Sequence, residues 1–188
     1  VFYQIPRVVL VNPAGGNQLE PLAEENDATL YLWEDEQPKL FAVLTPENRR
    51  RVEFAILSGL RSANQWAMRR EHVDLSGGLL SVPKTKGKRA ASIPLGPRML
   101  EILREQLASH ESAWVWPGRD GRAYRVTSAN QMLQRACVRA KIRPLTWHQM
   151  GRHTFGPRAV QRGDIRTVKE AMGHSSVTVT ERYTQAVA

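Results

Sequence analysis

The sequence predicts a mostly α-helical domain with a small antiparallel β-sheet, an α+β fold, and three observations lead there. Apolar residues recur at helical spacing in several segments, most clearly Met99, Leu100, Leu103 and Leu107. Two β-like runs, Leu79 to Pro83 and Ala90 to Leu95, flank a polar turn containing a glycine, the pattern of a hairpin. The chain has 188 residues, 41% hydrophobic and 24% charged, enough for one sizeable core and too apolar for disorder.

Each element has a local reason. Residues 1–29 read as a lead-in or linker remnant, in which Val8 to Val11 is broken by the turn formers Asn12 to Asn17. Residues 30–188 read as the main domain. Glu34 to Leu44 reads as a short amphipathic helix, with Pro38 as an alternative start. Thr45-Pro46-Glu47 opens the next helix with a capping hydroxyl and a first-turn proline, and Gly59 closes it. Arg61 therefore sits at a helix-to-helix junction, before a helical segment from Ser62 to Arg70. The hairpin follows, with Lys84, Lys86, Lys88 and Arg89 at its tip. Pro97 to Ser109 is a helix, and Trp114 to Pro117 is extended before the turn Gly118 to Gly121. Thr127 or Ser128 caps a helix reaching Lys141, with Met132, Leu133, Ala136 and Val138 as its apolar residues. After Pro144 come the segment with His148, a helix from Arg152 to Gln161 despite Pro157, a short helix from Thr167 to Met172, and a last one from Thr178 to Gln185.

The formal net charge is +9, unevenly placed: residues 1–36 carry one basic and seven acidic side chains, residues 37–188 carry 26 and 11. Such a main body concentrates polyanions around itself. No apolar run is long enough for a membrane span. The N-terminus lacks a signal-peptide pattern, and its missing initiator Met suggests a trimmed chain or an isolated domain. Cys137, the lone cysteine, fits a reducing compartment. Five histidines without paired spacing give no metal set.

The residues that carry chemistry are spread along the chain. Tyr183 is a candidate nucleophile, and its phenol needs cationic groups nearby to lose its proton. Arg61 and Arg152 can fork onto phosphate oxygens and stabilise a five-coordinate phosphorus. His148 and His174 can hold phosphate oxygens or manage the tyrosine proton. Lys86 is the candidate general acid for a leaving 5′ oxygen, and Lys84, Lys88 and Arg89 are candidate DNA-backbone contacts. His153, adjacent to Arg152, is expected on another helical face as packing or a supporting residue. Together these groups are what phosphoryl transfer from a DNA backbone to a protein hydroxyl needs.

Residues 30–185 closely resemble the catalytic domain of the tyrosine recombinases, the phage-integrase family. Phe54 to Arg61 is similar to its first arginine box, with Asp74 where that box ends. Lys84 to Arg89 running into Ile93-Pro94-Leu95 resembles the lysine-bearing hairpin. Leu145 to Phe155 resembles the His-x-x-Arg box, and Gly173-His174-Ser175-Ser176 with Tyr183 resembles the final box. The resemblance implies that Tyr183 attacks a scissile phosphate to form a 3′-phosphotyrosyl link and release a 5′ hydroxyl, with no metal, ATP or other cofactor. It implies that Arg61 and Arg152 grip the phosphate, Lys86 is the acid, His148 is the acid/base partner and His174 bonds a phosphate oxygen. The implied partners are double-stranded DNA and other recombinase subunits in a transient dimer or tetramer, with no membrane. The implied setting is the cytoplasm of a bacterial or phage-infected cell, close to the nucleoid.

Three features depart from the pattern. Asn64 stands where the family usually has Glu or Asp. His148 and Arg152 are four apart instead of three, which permits a rival alignment with Gly151 at the arginine position. The regions flanking the domain are short. Two alternatives use the same residues: a type IB topoisomerase-like nicking and closing enzyme, and a DNA-binding relative that has lost turnover.

Overall fold

The computed structural model describes residues 30–82 and 91–163. Six α-helices and one three-stranded sheet are found among them, in the order α1 (Glu36–Ala42), α2 (Pro46–Ser58), α3 (Ser62–Trp66), β1 (Val73–Asp74), β2 (Leu79–Val82), β3 (Ala91–Pro94), α4 (Pro97–Ala108), α5 (Val126–Ala140) and α6 (Thr154–Arg162). The α+β expectation holds. The expected segments before residue 30, after residue 163 and at the hairpin tip (83–90) lie outside the described residues.

Helix α2 forms for the reasons the sequence offers. Thr45 Oγ1 accepts from the Asn48 amide at 3.3 Å, Pro46 occupies the first turn, and Gly59 ends the helix in the left-handed region at φ 58°. The helix is central because its apolar face is wide: Val52, Phe54, Ala55 and Ile56 are all buried. Arg51 is buried beside them. Its guanidinium pairs with Glu47, bonds Asn48 Oδ1 at 2.8 Å and the Pro117 carbonyl at 3.1 Å, and lies 4.1 Å from the Tyr124 ring centre. A buried cation is tolerated only with such partners.

The hairpin is present, with Leu79, Leu80, Ser81 and Val82 of β2 opposite Pro94, Ile93, Ser92 and Ala91 of β3. The sequence reading missed β1, which pairs Val73 with Leu80 and Asp74 with Leu79. The helix expected from Ser62 to Arg70 stops at Trp66, and Arg70–His72 forms a 3-10 turn that feeds β1. Asp74 closes the β1–β2 turn by accepting from the amides of Ser76 at 3.1 Å and Gly77 at 2.7 Å.

Helix α5 corrects two expectations. It starts at Val126 with no side-chain cap, so neither Thr127 nor Ser128 is the N-cap, and Lys141 ends it at φ 54°. Val138 is 77% exposed, while Ala129, Leu133, Ala136 and Cys137 face the core. Burial pushes the Cys137 thiol pKa up, as for an inert core cysteine. The aromatic core joins Phe54 to Trp116 at 5.4 Å, and Trp66 to both Tyr124 and Trp147 at 5.0 and 4.8 Å. Residues 31–36 dock onto this body. Leu32 is fully buried, and Arg143 bonds Glu36 at 3.0 Å and the Tyr31 carbonyl while lying 3.8 Å from the Trp33 ring centre.

Candidate active site

The site is built where the end of α2 meets the start of α6. Gly59 turns the chain so that Arg61, with extended backbone (φ −62°, ψ 141°), becomes the N-cap residue of α3. Among the described residues no carboxylate forms an ion pair with Arg61, in keeping with asparagine at position 64.

The segment carrying His148 is held in place by polar contacts, two of them buried. Gln65 of α3, fully buried, donates to the Arg51 carbonyl at 3.0 Å and accepts from Trp147 Nε1 at 3.1 Å. The Trp147 amide donates to Asn130 Oδ1 of α5 at 2.7 Å. Thr146 and Gln149 bond reciprocally, the Gln149 carboxamide accepting from the Thr146 amide at 2.8 Å and the Thr146 hydroxyl accepting from the Gln149 amide at 3.3 Å. The segment that carries His148 is thereby held from α3, α5 and its own turn.

Gln149–His153 is a π-helical turn leading into α6. A π turn accommodates one residue more than an α turn, so the extra residue between His148 and Arg152 is absorbed locally. Gly151 is the tight spot of the turn: a Cβ there would lie 3.1 Å from the Ala55 side chain. It packs against α2, while Arg152 supplies the guanidinium, and Arg152 is not at a helix start as expected but inside the turn. Only 4% exposed, Arg152 donates from Nη1 to the Gly59 carbonyl at 3.0 Å. That carbonyl is two residues before Arg61.

The electrostatics report the same convergence. His148 keeps an exposed edge, yet partial burial, then the positive charges of Arg152 and Arg61, hold its pKa below the ordinary histidine value. The charges of both arginines reach His148. His153, expected on another face than Arg152 as packing or a supporting residue, packs against His148. The two imidazoles meet edge to face, with centroids 4.6 Å apart and planes at 76°. Burial first, then His148, with Arg152 adding to them against a hydrogen bond to the Leu30 backbone, lowers the His153 pKa to about 4.

Arg61, His148 and Arg152 are thus brought together; Lys86, His174 and Tyr183, and the candidate DNA contacts Lys84, Lys88 and Arg89, lie outside the described residues. Among the described residues no three His, Cys, Asp or Glu side chains gather into a possible metal set, and no helix is long and apolar enough to cross a membrane. Sequence reasoning missed Gln65, Trp147 and Thr154, whose roles depend on long-range partners. It also missed a cavity of about 990 Å³ at the other end of α2, lined by exposed Arg119, Arg125, Arg135 and Arg139.

The phage integrase family model matches residues 31–188. The chain belongs to the phage integrase family. It is 31% identical over 192 residues to tyrosine recombinase XerC of Xylella fastidiosa strain M23, covering 94% of this chain and 62% of that protein. The fold is similar to the crystal structure of XerA recombinase, with a TM-score of 0.73 and 23% identity over 82% of this chain and 60% of that one. It is also similar to the Tn1549 transposon integrase in complex with circular intermediate DNA, with a TM-score of 0.75 and 15% identity over 85% of this chain and 63% of that one. The chain therefore spans about 62% of the length of this curated relative.

Proposed function

We propose that residues 30–188 are the catalytic domain of a site-specific DNA recombinase, with residues 1–29 as a linker remnant, breaking and rejoining strands through a 3′-phosphotyrosyl intermediate. The observation that carries the reading is the convergence of Arg61, His148 and Arg152 on the Gly59 turn. Two guanidiniums bind the non-bridging oxygens of one phosphate and neutralise charge as the phosphorus becomes five-coordinate. His148, neutral near pH 7, can take the nucleophile's proton.

In this reading Tyr183 attacks the phosphorus, the bond to the 5′ oxygen breaks, and Lys86 supplies that oxygen with a proton. His174 bonds a phosphate oxygen. Attack by the 5′ hydroxyl of another strand reverses the step and restores the phenol. The phosphate bond energy is kept in the protein linkage, so the chemistry balances without a further reactant. Lys84, Lys88 and Arg89 hold the backbone of a duplex, and the arginines at the far end of α2 add phosphate contacts over a longer footprint. Partner subunits bring the second duplex, in the cytoplasm near the nucleoid of a bacterial or phage-infected cell.

The test is a pool of random-sequence duplexes with a nick, which traps the covalent intermediate when the short strand diffuses away. The expected result is an adduct that disappears in Tyr183→Phe and in Arg152→Ala while duplex binding persists in Tyr183→Phe. Binding without any adduct in the parent protein supports the DNA-binding relative instead. Adduct with relaxation of supercoiled DNA and no strand exchange supports the nicking and closing enzyme.

A further inference from the structure

We propose that Thr154 is a positioning residue for this site: its hydroxyl clamps the π turn Gln149–His153, so that the extra residue before Arg152 leaves the Arg152 guanidinium on the Gly59 carbonyl, two residues before Arg61. The clamp is a matter of geometry, and its consequence for strand cleavage rests on the function proposed above.

A helical threonine ordinarily bonds a carbonyl three or four residues back. Here Thr154 Oγ1 donates to the Gln149 carbonyl, five residues back and at the start of the π turn, at 3.1 Å. The same oxygen accepts from the Leu32 amide at 2.9 Å. Thr154 is fully buried, so water does not replace either bond. On its other side the turn meets α2, where Gly151 packs against Ala55. The π turn is thus held between α2 and the docked segment containing Leu32, and Arg152 projects from it to the Gly59 carbonyl. Were the turn to relax by one residue into α-helical register, Arg152 would swing by about 100°, the angle of one helical residue. That rotation takes the guanidinium off the Gly59 carbonyl. The hydroxyl, not the shape of the side chain, is what the clamp requires.

The experiment compares the parent with Thr154→Val and Thr154→Ser by nitrogen-15 spectra of the arginine side chains, alongside adduct yield on the nicked random-sequence pool. In the parent and the serine variant the Arg152 guanidinium protons exchange slowly. In Thr154→Val their protection falls by about tenfold, the equivalent of one lost hydrogen bond, and adduct yield falls while retention of the duplex pool is unchanged. Parental protection and adduct yield in Thr154→Val overturn the proposal, as does a serine variant that loses both. If the valine variant does not fold, the parent alone decides: a Leu32 amide bonded to the threonine hydroxyl exchanges slowly, and fast exchange there overturns the clamp. A parent that forms no adduct, but whose Arg152 protection still depends on the hydroxyl, refutes the recombinase reading and leaves the clamp standing.

Discussion

Replacing Gly59 with alanine probes the junction that sets both arginines. Gly59 has φ 58° and ψ 14°, where a Cβ costs about 1 kcal/mol. The new methyl would also lie 2.4 Å from Phe155 Cδ1, 2.6 Å from Cγ and 3.1 Å from Cβ. Phe155 Cβ is fixed to the α6 backbone, so rotating the ring does not clear the space. Overpacking of this kind costs about 1–3 kcal/mol. The two together give about 2–4 kcal/mol, which in a chain of this size lowers the melting temperature by roughly 5–15 °C. Circular dichroism melts of the parent, Gly59→Ala, Phe155→Ala and the double variant measure this. Removing the ring relieves the clash but not the backbone strain, so the double variant should be about 1–3 kcal/mol more stable than the sum of the single effects. An unchanged melting temperature in Gly59→Ala, or strict additivity in the cycle, refutes the argument that this glycine is required by Phe155 and by the turn.

Two further outcomes follow from the polar contacts behind the site. His153 has its folded pKa lowered to about 4 from an ordinary 6.5, so the unfolded chain takes up the proton first as pH falls. Its contribution, about 2 kcal/mol once discounted for solvent screening, is complete above pH 6.5 and is lost as pH falls toward 4. His148 is shifted in the same direction, by burial and then by Arg152 and Arg61, and adds to the loss on acidification. His153→Phe keeps a ring against His148 without the titration, so the acid loss of urea midpoint should shrink, and an undiminished loss sinks the assignment. Gln65→Leu leaves the Trp147 indole N–H and the Arg51 carbonyl without their buried partner, at a cost of about 1–3 kcal/mol. Chemical denaturation reads this directly, and a neutral effect shows that Gln65 does not hold the His148 segment.

Local signals in the sequence were enough for α2, the β2–β3 hairpin and α4. A capping threonine, a first-turn proline, a terminal glycine and short β-like runs flanking a polar turn act on their own neighbours, whatever the rest of the chain does. The pairing of Arg61 with Arg152 was legible only as motif order, since nothing near either residue says what it faces. Strand β1 was missed because two residues carry no periodicity, and their pairing with β2 comes from the sheet. Val138 was misassigned because the α5 face is chosen by α1 and α3, not by hydropathy alone.

What the sequence determined by itself was the inventory: which helices can form, where they must end, and which cations and imidazoles the chain possesses. Only the tertiary structure placed Gly151 against Ala55 and the Arg152 guanidinium on the Gly59 carbonyl. The π turn that seats the arginine is held by Ala55, nearly a hundred residues upstream, and by the Leu32 amide, further still. An α-helix is the lower-energy local choice for those residues, and a π turn persists only where packing and buried hydrogen bonds from distant segments outweigh that preference.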